Sequence, residues 1–126
     1  MVKLVLLKKP KPGVSRERLI DYLKNVHGPH NSQLPGVDYT LSAQVDPKEN
    51  ETVPEDSEYY DSSNTIPIAP ADTRYDTLEI HEFDTMEELI EAHSTEHSEE
   101  AEEGLHSVID FEDEIAFVVE DVELNE

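Results

Sequence analysis

The sequence predicts an α+β fold, a four-stranded antiparallel sheet in the order βαββαβ with its helices on one face. Three observations carry this. Residues 37–45 and 75–83 alternate apolar and polar side chains with the period of a strand. Residues 16–27 and 86–105 repeat apolar side chains at helical spacing. The chain also begins and ends on short runs, 2–7 and 115–120, that are largely apolar on both faces, which for the first fits a covered central strand.

In the first run Val2, Leu4 and Leu6 alternate with Lys3, Val5 and Leu7. Pro10, Pro12 and Gly13 then mark a loop. Ser15 is suited to cap a helix and Glu17 to favour its positive end. Leu19, Tyr22, Leu23 and Val26 form that helix's apolar stripe. Gly28-Pro29 is expected to end it, because Gly suits a C-terminal cap and Pro biases its predecessor away from helix. His27 is then a titratable ring held where a helix hands over to a strand. After the turn at Leu34-Pro35-Gly36, Val37, Tyr39, Leu41, Ala43 and Val45 are expected to pack under the helices. Asp38, Thr40, Ser42 and Gln44 then look out of the opposite face of the sheet.

Residues 46–74 are polar, acidic and contain four prolines, and they read as a long insertion loop. Tyr59, Tyr60, Ile66 and Ile68 are its candidate anchors. In the third strand Leu78 and Ile80 share one face, with Thr77, Glu79 and His81 on the other, expected to look outward. Thr85 and Glu88 fit a capping box, followed by a stripe of Met86, Leu89, Ile90 and His93. A break near Ser94-Thr95 precedes a second helical piece with Ala101 and Leu105 inward. The last strand is followed by a short acidic tail, 121–126.

At 126 residues the chain fits one domain. It carries 31 acidic against 9 basic residues, a net charge of −22. Such a surface repels nucleic acid and anionic membranes. It also repels itself, unless salt shortens the Debye length to about 3 Å at 1 M. The expectation is a salt-rich cytosol, as in a halophilic archaeon. No Cys is present, which removes disulfides, thiolate nucleophiles and Cys-ligated clusters. No apolar run approaches the ~20 residues of a membrane-spanning helix, and a cytoplasmic protein is expected.

This order of elements is that of a ferredoxin-like unit. Its helix-free face, carrying Val5, Leu7 and Val118, is expected to be covered by a second copy, the two sheets closing into a dimeric barrel. The opening Val2-Lys3-Leu4-Val5-Leu6-Leu7-Lys8-Lys9-Pro10, the Tyr22-x-x-x-x-His27-Gly28-Pro29 stretch and Leu34-Pro35-Gly36 resemble the EthD family of dimeric α/β-barrel proteins. Tyr75-Asp76, then Phe83-Asp84-Thr85-Met86-Glu87-Glu88-Leu89, and the closing Ile115-Ala116-Phe117-Val118-Val119-Glu120 continue the resemblance. The chain departs from that family in its long central loop and in Glu82, where an aromatic is common. The resemblance implies a homodimer from a superfamily of cofactor-free monooxygenases, isomerases, cyclases, dehydratases and haem-handling proteins, many members having no assigned chemistry. Fold alone does not choose among these.

The residues themselves point to proton transfer on a small organic molecule, without cofactor or metal. His27 and His81 are the candidate bases, with Glu79 and Asp38 orienting or polarising them, since His and carboxylate in a partly dry cavity suit acid–base work near neutrality. Thr40, Ser42 and Tyr22 are candidate substrate contacts. Each has a plainer alternative: His27 tying down a chain junction, His81 and Glu79 an ordinary polar pair of the sheet, Asp38 mere surface. His93 and His97, four apart, and His27 with His30 have ligand-like spacing but no evident third ligand. A non-catalytic accessory protein of an oxygenase pathway, or a structural dimer whose acidic loop recruits a partner, are the other readings.

Overall fold

The computed structural model describes residues 1–45 and 75–125. The insertion expected at 46–74, with its four candidate anchors, lies outside them. The elements run β1 (Val2–Lys8), α1 (Arg16–Tyr22), a π-turn (Leu23–His27), α2 (Gly28–Asn31), β2 (Asp38–Ala43), β3 (Thr77–Phe83), α3 (Met86–Ala92), α4 (Glu96–Leu105) and β4 (Ile115–Glu120). The four strands form one antiparallel sheet in the order β2-β3-β1-β4, the ferredoxin-like arrangement. Hence β1 is central, as its two-sided apolar character requires.

Register decides which residues share a face, because directly opposed residues point the same way. Val2 opposes Phe83, Leu4 opposes His81, Leu6 opposes Glu79 and Lys8 opposes Thr77. These pairs face the helices. Lys3, Val5 and Leu7 oppose Glu82, Ile80 and Leu78 on the open face, where Val119, Phe117 and Ile115 from β4 join them. The third strand is therefore inverted relative to expectation. Thr77, Glu79, His81 and Phe83 point inward, and Leu78 and Ile80 outward. Hydrophobicity alone argues the reverse. Phe83 locked against Val2, Leu34, Leu89 and Ala92 sets the strand's facing, and a period of two then carries Glu79 and His81 inside.

The helices depart from expectation at Gly28-Pro29, which does not end the first one. The chain passes through the π-turn, in which Gly28 N–H donates to Leu23 O, and continues as α2 to Asn31. Gly28 has φ −60°, an ordinary helical value rather than a left-handed cap. A Cβ there would lie 2.6 Å from Leu23 O and 3.3 Å from a ring carbon of Tyr39. Gly28 therefore answers a close approach, not a chain reversal. The extra residue in the turn also rotates the buried stripe. Val26 is 52% exposed and His27 only 3%.

Ser15, Thr85 and Thr95 cap α1, α3 and α4, each accepting from an N–H three residues on. On α3 the buried positions are Leu89 and Ala92, whereas Met86 and Ile90, expected inward, are exposed. Among the described residues the core forms two clusters. One gathers Val2, Leu34, Phe83, Leu89 and Ala92; the other gathers Leu19, Leu23, Leu105, Val108 and Ile109. Polar side chains occupy the space between sheet and helices that these clusters leave.

A candidate acid–base site between sheet and helices

Glu79, from the middle of β3, is fully buried. Its Oε2 accepts a hydrogen bond from the Tyr39 hydroxyl of β2 at 2.7 Å. Lys8 Nζ, at the end of β1, stands 2.6 Å from Oε1 and 2.9 Å from Glu114 Oε2. His27 Nε2, from the π-turn, and His81 Nε2, two residues along β3, lie 3.4 and 3.5 Å from Oε2. Asn31 of α2 approaches His27 Nε2 at 3.0 Å through its amide nitrogen. His81 Nδ1 lies 3.0 Å from Nε2 of His93, the residue that closes α3. Six elements of the chain thus converge on one carboxylate.

Burying a lone carboxylate would raise its affinity for a proton. Burial does press Glu79 that way, but the His27 and His81 rings, and then the Lys8 charge, outweigh it and hold the carboxyl well below its usual range. Burial lowers His81 below the usual imidazole range, against the pull of Glu79. The ring is therefore neutral near pH 7 and able to accept a proton. Burial, and then the charge of Glu79, push the Tyr39 hydroxyl up, so Tyr39 remains a donor. Two ring nitrogens, His27 Nδ1 and His81 Nε2, are buried without a hydrogen-bond partner among the described residues. Such orphaned groups in a dry site are costly unless something uses them.

A cleft reaches this cluster. It has a volume of about 70 Å³ and is lined by Leu4, Leu6, Leu105 and Phe111 together with His27, His81 and His93. That is room for a few waters or a small organic group, since one water fills about 30 Å³ of liquid. Glu79 does not line it. The imidazoles face the cleft, and the carboxylate stands behind them.

Of the residues expected to form a site, His27, His81 and Glu79 come together, but not on the open face where they were sought. Asp38, Thr40 and Ser42 are exposed and share the opposite face with Glu82, Ile80 and Leu78. They cannot act with Glu79, because a sheet separates them. Tyr22 packs in the second core cluster, its hydroxyl directly against Gly104, away from the cleft. The sequence reading missed Lys8, Tyr39, Asn31 and Glu114 and took His93 for packing. One signal was present: Lys8 continues the inward alternation of Val2, Leu4 and Leu6.

His30, His97 and Glu100 offer atoms within 4.8 Å of one another, the arrangement a metal could use. The two rings, however, stack with centroids 3.7 Å apart and planes 2° from parallel. An ion shared between them would lie outside both ring planes, where imidazole has no lone pair. Each Nε2 is also engaged by the other residue's backbone carbonyl. This pair fastens α2 to α4.

No protein-family model and no curated protein matches the chain. Solved structures do. An EthD family protein from Bacillus halodurans C-125 aligns at TM-score 0.68 and 16% identity, covering 97% of this chain and 99% of that one. A dimeric ferredoxin-like protein of unknown function from Thermobifida fusca YX aligns at 0.61 and 11%, covering 94% and 88%. A cofactor-independent oxygenase, SnoaB from Streptomyces nogalater, aligns at 0.59 and 8%, covering 98% and 94%. At these identities the likeness is one of fold, and the chain has the ferredoxin-like α+β fold of these proteins.

Proposed function

We propose that this is an EthD-like dimeric barrel protein that performs cofactor-free acid–base chemistry on a small organic molecule bound between sheet and helices. The observation that carries the proposal is Glu79, fully buried and ionised beside two imidazoles that line a cleft. His81 is the base, taking a proton from a C–H or O–H of the ligand at Nε2. Glu79, 3.5 Å from that same nitrogen, stabilises the imidazolium so formed by its charge. His27, with its unpaired Nδ1, orients or polarises a ligand oxygen. Lys8 keeps Glu79 charged and Tyr39 keeps it in place. Isomerisation, cyclisation, dehydration and oxygenation can each begin with such a proton removal. The cleft belongs to one protomer and lies on the helix side of the sheet, outside the barrel that pairing of two open faces would form.

The test is hydrogen–deuterium exchange in D₂O, followed by proton NMR, on small neutral ketones such as acetone, cyclopentanone and acetophenone. The wild-type protein is expected to accelerate exchange of the protons beside the carbonyl. His81→Asn should lower that rate by about 10²- to 10⁴-fold, the usual contribution of a general base. Saturable ligand binding with no acceleration would instead support a binding or accessory protein.

A further inference from the structure

His93 closes α3, and both of its ring nitrogens are committed. Its Nδ1 lies 2.9 Å from the Leu89 carbonyl oxygen one turn back. A carbonyl only accepts, so Nδ1 carries the proton. In the neutral ring Nε2 is then a bare lone pair, and it faces His81 Nδ1 at 3.0 Å. That contact is a hydrogen bond only if His81 Nδ1 bears the proton. Three gaps lie along the line from Leu89 O through His93 and His81 to Glu79, and two neutral rings bring two protons. The gap left empty is the 3.5 Å one between His81 Nε2 and Glu79 Oε2. Among the described residues His81 Nε2 indeed has no hydrogen-bond partner.

We infer that His93 is a positioning residue: anchored to its own helix, it holds His81 in the Nδ1–H tautomer and keeps His81 Nε2 free to accept a proton. Without it, His81 would turn its proton toward Glu79, since a carboxylate is the stronger acceptor. The base nitrogen would then be blocked. The ring of His93 also stands edge-on to Phe83 with centroids 5.6 Å apart, so core packing fixes its orientation. The tautomer follows from the contacts alone; only its consequence for proton transfer rests on the function proposed above.

Long-range ¹⁵N–¹H correlation spectra of the labelled full-length protein at about pH 8, above the ordinary imidazole range, read the tautomer directly. Spectra of His81→Gln identify the His81 signals by their loss. The wild type should show His81 protonated at Nδ1. His93→Phe keeps a ring of similar bulk but removes the acceptor, and should move that proton to Nε2. His93→Gln, whose amide oxygen can accept, should restore Nδ1–H. A wild-type His81 protonated at Nε2 overturns the inference, and this holds even if His93→Phe fails to fold. A folded His93→Phe with an unchanged His81 pattern overturns it as well. In ketone exchange, His93→Phe should lose at least about tenfold at saturating ligand, with His93→Gln recovering most of it, a loss bounded above by the roughly 10²- to 10⁴-fold of the general base itself. A wild type that keeps the tautomer pattern but exchanges no ketone proton supports the inference and refutes the catalytic function.

Discussion

At the scale of single residues, the decisive fact is that Glu79 and Lys8 are buried together. Removing two charges from water costs several kcal/mol per ion, and their attraction recovers this only with further polar support. Tyr39, which donates to Glu79, and Glu114, which pairs with Lys8, give that support. The arrangement carries a pH signature. Glu79 is depressed in the fold, so its contribution is full above the unfolded carboxylate range and is lost as pH falls through its lower folded value. His81 is depressed as well, because burial favours its neutral form. Between its unfolded value, about 6.5, and its lower folded one, the unfolded chain binds a proton that the folded chain refuses. Stability should therefore begin to fall as pH drops below about 6.5. Urea midpoints taken across that range should show a shallower decline in His81→Gln than in the wild type. Equal slopes would mean that His81 is not held neutral.

At the scale of elements, the π-turn places the site. One extra residue per turn swings His27 inward and Val26 outward, which a regular helix through the same residues could not do. It also brings Gly28 against Tyr39, so the helix backbone braces the side chain that holds Glu79. Gly28→Ala should cost about 1–3 kcal/mol in urea unfolding, the usual range for overpacking. It should also disturb Tyr39, because the nearest obstacle is a backbone oxygen that cannot swing aside. An unchanged midpoint would show that the turn tolerates a side chain and sets no limit on the site. The caps of α1 and α3, Ser15 and Thr85, were legible in the sequence, since a hydroxyl before a helical stretch needs no tertiary partner, whereas Thr95 reads there only as part of a break. The π-turn was not legible, because Gly-Pro after a stripe is equally good chemistry for a stop.

Across the whole molecule, an apolar face and an acidic surface remain. Phe117 and Ile115 are 45% and 39% exposed on the open face, beside Val5 and Ile80. If this face is where two copies meet, Phe117→Glu should halve the mass measured by light scattering. It should leave the helix-side cleft of each protomer folded. A wild type that is monomeric at high salt would remove the barrel from the proposal. The net charge of −22 makes a separate demand. The unfolding midpoint should rise between about 0.1 M and 2 M KCl, as the Debye length falls from about 10 Å to below 3 Å. A flat response would end the halophilic reading.

The sequence by itself determined the element order, the strand-centred topology, the caps of α1 and α3 and the central place of β1. Each of these follows from periodicity or from local hydrogen-bonding chemistry. It also determined that Glu79 and His81 share a face, because a strand alternates strictly. Only the tertiary structure decided that this face is the inner one. Alternation says which residues travel together but not which way they turn, and burial preference argued for the wrong side. Phe83, locked into the core, turns the strand, and Lys8, far away in the chain and adjacent in space, makes the buried Glu79 tolerable. A buried carboxylate is admissible only once its counter-charge and its hydrogen-bond donors have been folded into place around it.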